Sequence, residues 1–151
     1  ILHVVGEKRG NSPSADMEKW LKKSISSAGM IAEAVSDKKK VCIETLDYDP
    51  WYVKHLANAV GTSICLDLGH IVKYGRPVLE IAGSLADDVR VLHIHGVMPG
   101  GTDHRDLSYF DSDLFKSVTD MMSGGEERIM TIEVFEDDYA RSLRAMKNIR
   151  G

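Results

Sequence analysis

The sequence contains no run of about 18 apolar residues, so it offers no segment able to cross a bilayer as a helix. It has only two cysteines, Cys42 and Cys65, in neither a CxxC nor a framework spacing, which argues against a disulfide scaffold and for a reduced, cytoplasmic setting. It has no excess of positive charge: 19 Lys and Arg stand against 23 Asp and Glu, for a formal net charge of −4, which gives nucleic acid no basic footprint. No signal-peptide pattern, linker or low-complexity tract is visible. The chain also lacks an initial Met and opens on the apolar run "ILHVVGE", so it is expected to be a piece of a longer protein. What remains is ordinary globular composition, 43% hydrophobic and 28% charged over 151 residues, enough for one domain with a real core.

Short apolar runs alternate with longer amphipathic ones. Strands are expected over 1–7, 41–46, 63–68, 89–97 and 128–135. Helices are expected over 14–37, 50–61, 76–88, 112–125 and 137–150. The first helix has Ser14 or Asp16 as its N-cap and Trp20, Leu21, Ile25, Met30, Ile31 and Val35 near helical spacing. The second has Pro50 near its start and Gly61 at its end. Five β units, each followed by a helix, imply parallel strands with helical crossovers, and strands apolar along nearly their whole length imply a sheet covered on both faces. The expected fold class is α/β, a single domain over 1–151.

The polar residues fall in one place on this pattern. Each of the last four strands ends in a metal-competent or acid–base side chain: Glu44 in "CIETL", Asp67 and His70 in "ICLDLGH", His93 and His95 in "LHIH", and Glu133 in "TIEVF". In parallel α/β folds the active site forms at the C-terminal end of the strands. Residues two apart share a strand face, so Cys42, Cys65, Val91 and Thr131 lie below Glu44, Asp67, His93 and Glu133 on what would be a barrel interior. Leu92, Ile94, Ile132 and Val134 then face the covering helices.

Carboxylates placed close together repel unless a cation or protons neutralise them. Carboxylates and neutral imidazoles suit a hard or borderline divalent ion, zinc or manganese first, with magnesium or cobalt as alternatives. The Gly-rich loop "MPGGTDHRDLSYF" (98–110) adds Asp103, His104 and Arg105 over the mouth of such a site. Lys38–Lys40 precede a strand and are expected on the opposite face, in solvent. His3 and His55 read as structural or surface residues, and Glu7 as structural.

With these residues in view, the sequence resembles the xylose-isomerase-like TIM-barrel superfamily, which includes sugar isomerases and epimerases, apurinic-site endonucleases and their metal-dependent relatives. The matching motifs are Glu44, the Asp-x-x-His of Asp67 and His70, His93 with a loop candidate at His104 or Arg105, and Glu133. The resemblance implies the five C-terminal βα units of an eightfold barrel, which when complete needs about 250 residues. It implies Glu44, Asp67, His93, Glu133 and His70 as metal ligands, Glu44, Glu133 and His104 as catalytic groups, and His95, Asp103 and Arg105 as substrate contacts. Within the superfamily, "LHIHGV" followed by "DH" looks most like the cobamide-remodelling phosphodiesterases. The adjacent Asp103 and His104 depart from the loop Asp-x-His of the endonucleases.

Three functions follow as expectations. The first is hydrolysis of a phosphoester or phosphodiester, a corrinoid among them, by a metal-activated water. The second is a sugar or sugar-phosphate isomerase or epimerase in which Glu44 and Glu133 move a proton beside a carbonyl. The third is a non-catalytic barrel fragment. Open sheet edges would further allow the chain to associate with itself.

Overall fold

A computed structural model describes residues 1–150, leaving aside the side chains of Glu136, Asp137, Asn148, Ile149 and Arg150. The last residue of the expected domain, Gly151, lies outside the described residues. Four strands, β1 (Cys42–Glu44), β2 (Ser63–Asp67), β3 (Val89–Ile94) and β4 (Ile129–Ile132), form one sheet in chain order with every pair parallel. Strands added in sequence, each returned by a helix, make an arc of a (βα)-barrel. The α/β class and the parallel pairing are as the sequence implies. No helix is long and apolar enough to cross a membrane among the described residues.

The expected first strand over 1–7 shrinks to a single parallel bridge between Leu2 and Ile43. The Leu2 N–H donates to the Cys42 carbonyl (2.7 Å) and the Glu44 N–H to the Leu2 carbonyl (3.0 Å). Beyond that point side chains claim the backbone. The Tyr48 hydroxyl donates to the Val4 carbonyl (2.6 Å) and the Trp20 indole to the Val5 carbonyl (3.1 Å). The Glu7 N–H then donates to the Pro13 carbonyl (2.6 Å), which turns the chain into the first helix.

Helix α1 (Met17–Glu33) starts at Asp16, whose carboxylate accepts the Lys19 N–H (3.1 Å). Its buried positions are Trp20, Ala28 and Ala32, four or eight apart, whereas Met30, Ile31 and Val35 are exposed, contrary to the sequence expectation. Alanines on that stripe let α1 lie close to α2 (Pro50–Val60), which Asp49 caps and Gly61 ends at φ 80°.

The expected helix over 76–88 is found in shorter form, and a helix the sequence did not predict precedes it. A short helix, α3 (Leu68–Lys73), follows β2 without a loop, and α4 (Val78–Leu85) begins after Pro77. The Asp67 carboxylate caps α3 by accepting the His70 N–H (2.9 Å). Helix α5 (Ser112–Met121) ends four residues before the expected limit, and α6 (Glu136–Arg150) closes the described chain. Strands β3 and β4 stop at Ile94 and Ile132, so His95 and Glu133 lie just beyond their strands. Ile43, Ile64, Leu66, Leu92 and Ile94 pack outward against Val53, Leu56, Ile81, Leu85, Phe115 and Val118 in one apolar core.

Candidate metal centre

The strand register sets the heights of the site residues. Asp67 pairs with His93, and His93 with Thr131, while Glu44 pairs with Cys65 rather than with Asp67. A register irregularity between Ile64 and Cys65 adds to this stagger. The carboxylates therefore climb the arc rather than form a level row, as the shear of a barrel requires.

The side chains nevertheless meet. Glu44, Asp67, His93 and Glu133 each offer a ligand atom, and the four atoms lie within 4.8 Å of one another. Glu44, Asp67 and His93 are buried, and Glu133 is 32% exposed at the mouth. His93 Nδ1 lies 3.1 Å from Glu133 Oε1 and 3.3 Å from Glu44 Oε2, yet hydrogen-bonds to neither. Asp67 Oδ2 is likewise buried without a hydrogen-bond partner. Two orphaned polar atoms inside one acidic cluster fit a bound cation, because an unpaired buried polar group is otherwise costly.

Three carboxylates beside one imidazole also govern its protonation. Burial opposes charge on His93, but the hydrogen-bonding proximity and negative charge of Glu44, then Glu133, raise its pKa above the usual value. Burial likewise opposes ionisation of Asp67, but the His95 contact and the nearby His70 overcome it and hold that carboxyl below its usual range. The Cys65 thiol beneath them is pushed up, first by burial and then by Glu44 and Asp67, so it stays protonated.

The other sequence candidates stand around this set. His70 is beside it: its Nδ1 lies 3.0 Å from the Thr45 carbonyl, which can only accept, so Nδ1 carries the proton in the neutral ring. His95 is fully buried between Asp67 and the loop 98–110. His104 takes a left-handed backbone (φ 55°) and stacks on His95 with ring centres 4.2 Å apart. Its Nε2 is 3.8 Å from Glu133 Oε2.

Asp103 and Arg105 turn to other partners. Asp103 Oδ2 meets Lys73 Nζ at 2.6 Å; despite partial burial, that hydrogen bond pulls the carboxyl from 3.8 to about 2. Arg105 Nε lies 2.8 Å from Oδ2 of the fully buried Asp138, which Arg141 also contacts. Arg141 reaches on to Asp106 (3.0 Å), and the Leu107 N–H donates to the buried Ser142 hydroxyl (3.2 Å). Gly96 permits the loop to fold back here, since a Cβ at that position would sit 2.1 Å from the Asp106 carbonyl oxygen.

Sequence reasoning missed His3 as a neighbour of the site. Its ring is 60% exposed, and its Nε2 lies 2.8 Å from Glu44 Oε2. The signal was the pairing of "ILH" beside "CIE", which no periodicity within either segment reveals. His55 is exposed, and Lys38–Lys40 lie at the opposite, N-terminal end of the sheet.

No family model and no curated protein matches the chain. Among solved structures it is similar to the IOLI protein, determined at 1.8 Å with a bound zinc atom. The TM-score is 0.64, at 17% identity, over 97% of this chain and 58% of that one. The likeness is one of fold, and with the parallel four-stranded sheet it defines this chain as part of a TIM barrel. The chain spans 58% of the length of that relative.

Proposed function

We propose that the chain carries the divalent-metal centre of an enzyme that moves a proton beside the carbonyl of a small polyhydroxylated compound, as sugar isomerases and epimerases do. The observation that carries this reading is the convergence of Glu44, Asp67, His93 and Glu133 with two orphaned buried atoms among them. Three carboxylates and an imidazole suit zinc or manganese, and the relative of the same fold holds zinc. When bound, the ion would supply a Lewis acid that polarises a substrate oxygen.

The chain's own residues supply the rest. Glu133, at the mouth, is placed to take a proton from bound substrate, and Glu44, held between His3 and His93, to return one. His70 uses Nδ1 on Thr45, which leaves Nε2 as an acceptor for a substrate hydroxyl. Lys73 and Arg105 are already paired with Asp103 and Asp138, so neither is a free cation for a phosphate. That favours a neutral polyol over a phosphodiester.

A second reading, hydrolysis of a phosphoester such as the nucleotide loop of a corrinoid, is favoured by the imidazoles of His70, near Glu44 and Asp67, and His104, near Glu133. One experiment separates the two. Protein loaded with Zn²⁺ or Mn²⁺ is incubated in deuterated water with ketoses and sugar phosphates, and in parallel with bis(p-nitrophenyl) phosphate. Deuterium at the carbon next to the carbonyl supports proton transfer. Release of nitrophenol without exchange supports hydrolysis and overturns the first reading.

A further inference from the structure

The imidazole of His95 is fully buried, and both of its nitrogens face polar groups. Nδ1 accepts the backbone N–H of His104 (3.1 Å). A backbone amide can only donate, so this contact, shorter than the 3.4 Å from Nδ1 to the Gly96 carbonyl, calls for an unprotonated Nδ1 and a neutral ring with its hydrogen on Nε2. Nε2 lies 3.2 Å from Asp67 Oδ1, a close polar contact that falls short of a hydrogen bond. The same Oδ1 accepts the His70 N–H at 2.9 Å. Oδ1 thus takes the hydrogen bond, while Oδ2, 3.2 Å from His70 Nδ1 but without a hydrogen bond, is left for the cluster.

The ring has little freedom to leave this place. A Cβ at Gly69 would lie 2.2–2.4 Å from three of its atoms, so the glycine of "DLGH" is the space that His95 occupies. On its other face it stacks against His104 at an interplanar angle of 11°. His104 sits in a loop anchored elsewhere, through the Gly96–Arg105 bridge and the Arg105–Asp138 ion pair.

We infer that His95 is a positioning residue that couples loop 98–110 to the metal carboxylate. Through Nδ1 it fixes the backbone of His104, and through Nε2 it fixes which oxygen of Asp67 faces the cluster. Coupling between sites is reciprocal, so loop order tightens metal binding and metal binding orders the loop. The inference rests on the metal reading above and assigns His95 a role distinct from substrate contact.

Two amide replacements separate the halves of the bridge. His95→Asn keeps an acceptor near the Nδ1 position and loses the reach to Asp67, whereas His95→Gln keeps a donor near the Nε2 position and loses the His104 amide. Zn²⁺ affinity is measured by competition with a chromophoric chelator, and exchange of the His104 amide by NMR with and without Zn²⁺. We expect His95→Asn to bind Zn²⁺ at least about 10-fold more weakly, the size of effect seen for groups that orient metal ligands, with the His104 amide still protected in the metal-free protein. His95→Gln should keep its affinity within a few-fold, exchange the His104 amide faster, and lose the extra protection that Zn²⁺ confers on wild type.

Wild-type affinity in His95→Asn, or unchanged exchange in His95→Gln, overturns the inference. If either variant fails to fold, nitrogen chemical shifts of wild-type His95 decide: a proton on Nε2 supports the bridge, and a proton on Nδ1 overturns it. A wild-type chain that binds no divalent ion sinks the metal centre instead, while the amide exchange and the tautomer still test the link to the loop.

Discussion

His93 Nδ1 stands 3.1 Å from Glu133 Oε1 and makes no hydrogen bond to it. His93 lies on β3 and Glu133 directly follows the adjacent β4, and the Glu133 N–H donates to the Ile94 carbonyl (3.0 Å), which holds the glutamate over the histidine. A buried nitrogen left without a hydrogen bond is costly, and a cation between the two groups would satisfy it. Glu133→Gln removes one of three negative charges, so Zn²⁺ binding should weaken by more than about 10-fold, while the metal-free protein, with the residue 32% exposed, keeps its stability. Titration calorimetry and a melting curve measure the two effects separately.

Glu44→Gln extends the same argument to the buried end of the cluster. In the metal-free chain the carboxylates of Glu44, Asp67 and Glu133 repel one another. The isosteric amide relieves part of that repulsion and can still accept from His3. We expect metal-free Glu44→Gln to melt at or above wild type, by roughly 2–4 °C per kcal/mol relieved, and to lose the gain in melting temperature that Zn²⁺ gives wild type. A clear fall in its metal-free melting temperature would count against repulsion in the cluster.

Gly69→Ala probes the packing of His95. The added Cβ would lie 2.2–2.4 Å from the imidazole, and the ring cannot move without losing His104 or Asp67. A cost of about 1–3 kcal/mol is expected in denaturant unfolding. Most of it should vanish when the same change is made in a His95→Ala background, where the obstacle is gone. An equal cost in both backgrounds would place the strain in the α3 backbone instead.

The acid limb of stability carries the mark of two carboxylates in the loop. Asp103 is held at about 2 by Lys73, and Asp106 below its usual range, despite burial, by Ser108 and then Arg141. Both folded values lie under the unfolded one of about 3.9. Their contribution is therefore present above that pH and is lost as the pH falls toward 2. The stability difference between wild type and Asp103→Asn, read from urea midpoints, should be largest near neutrality and shrink between about pH 4 and pH 2. A pH-independent difference would mean that the Lys73 pair does not stabilise the fold.

No strand pairs beyond β4 among the described residues; Ile129 on β4 is 64% exposed, and Phe135, shortly after it, 59%. Unpaired edges with apolar neighbours favour association. We propose that the chain associates with itself in solution. Sedimentation velocity over a wide concentration range should show the change, and Ile129→Lys should reduce it. A wild-type chain that stays monomeric throughout would end this proposal.

The strand ends were legible because alternation and polarity coincide there: Glu44, Asp67, His93 and Glu133 each follow an apolar run, and chain-local periodicity suffices to aim them. The rest depends on partners distant in sequence. Nothing within "ILHVVGE" says that Tyr48 and Trp20 will take the Val4 and Val5 carbonyls and cut the strand short. Helix α3 has no separate start signal in the sequence because its cap is the strand-end Asp67 itself, with no loop between. The pairing of Arg105 with Asp138 on α6, and the enclosure of His95 by Gly69 and the His104 amide, likewise join residues distant in sequence.

The central claim is a metal centre built by Glu44, Asp67, His93 and Glu133, and calorimetric titration of the metal-free chain with Zn²⁺ and Mn²⁺ tests it most directly. One saturable site per chain is expected, which His93→Ala abolishes while the fold, followed by circular dichroism, remains. Absence of saturable binding by wild type, or binding that survives His93→Ala unchanged, would contradict it.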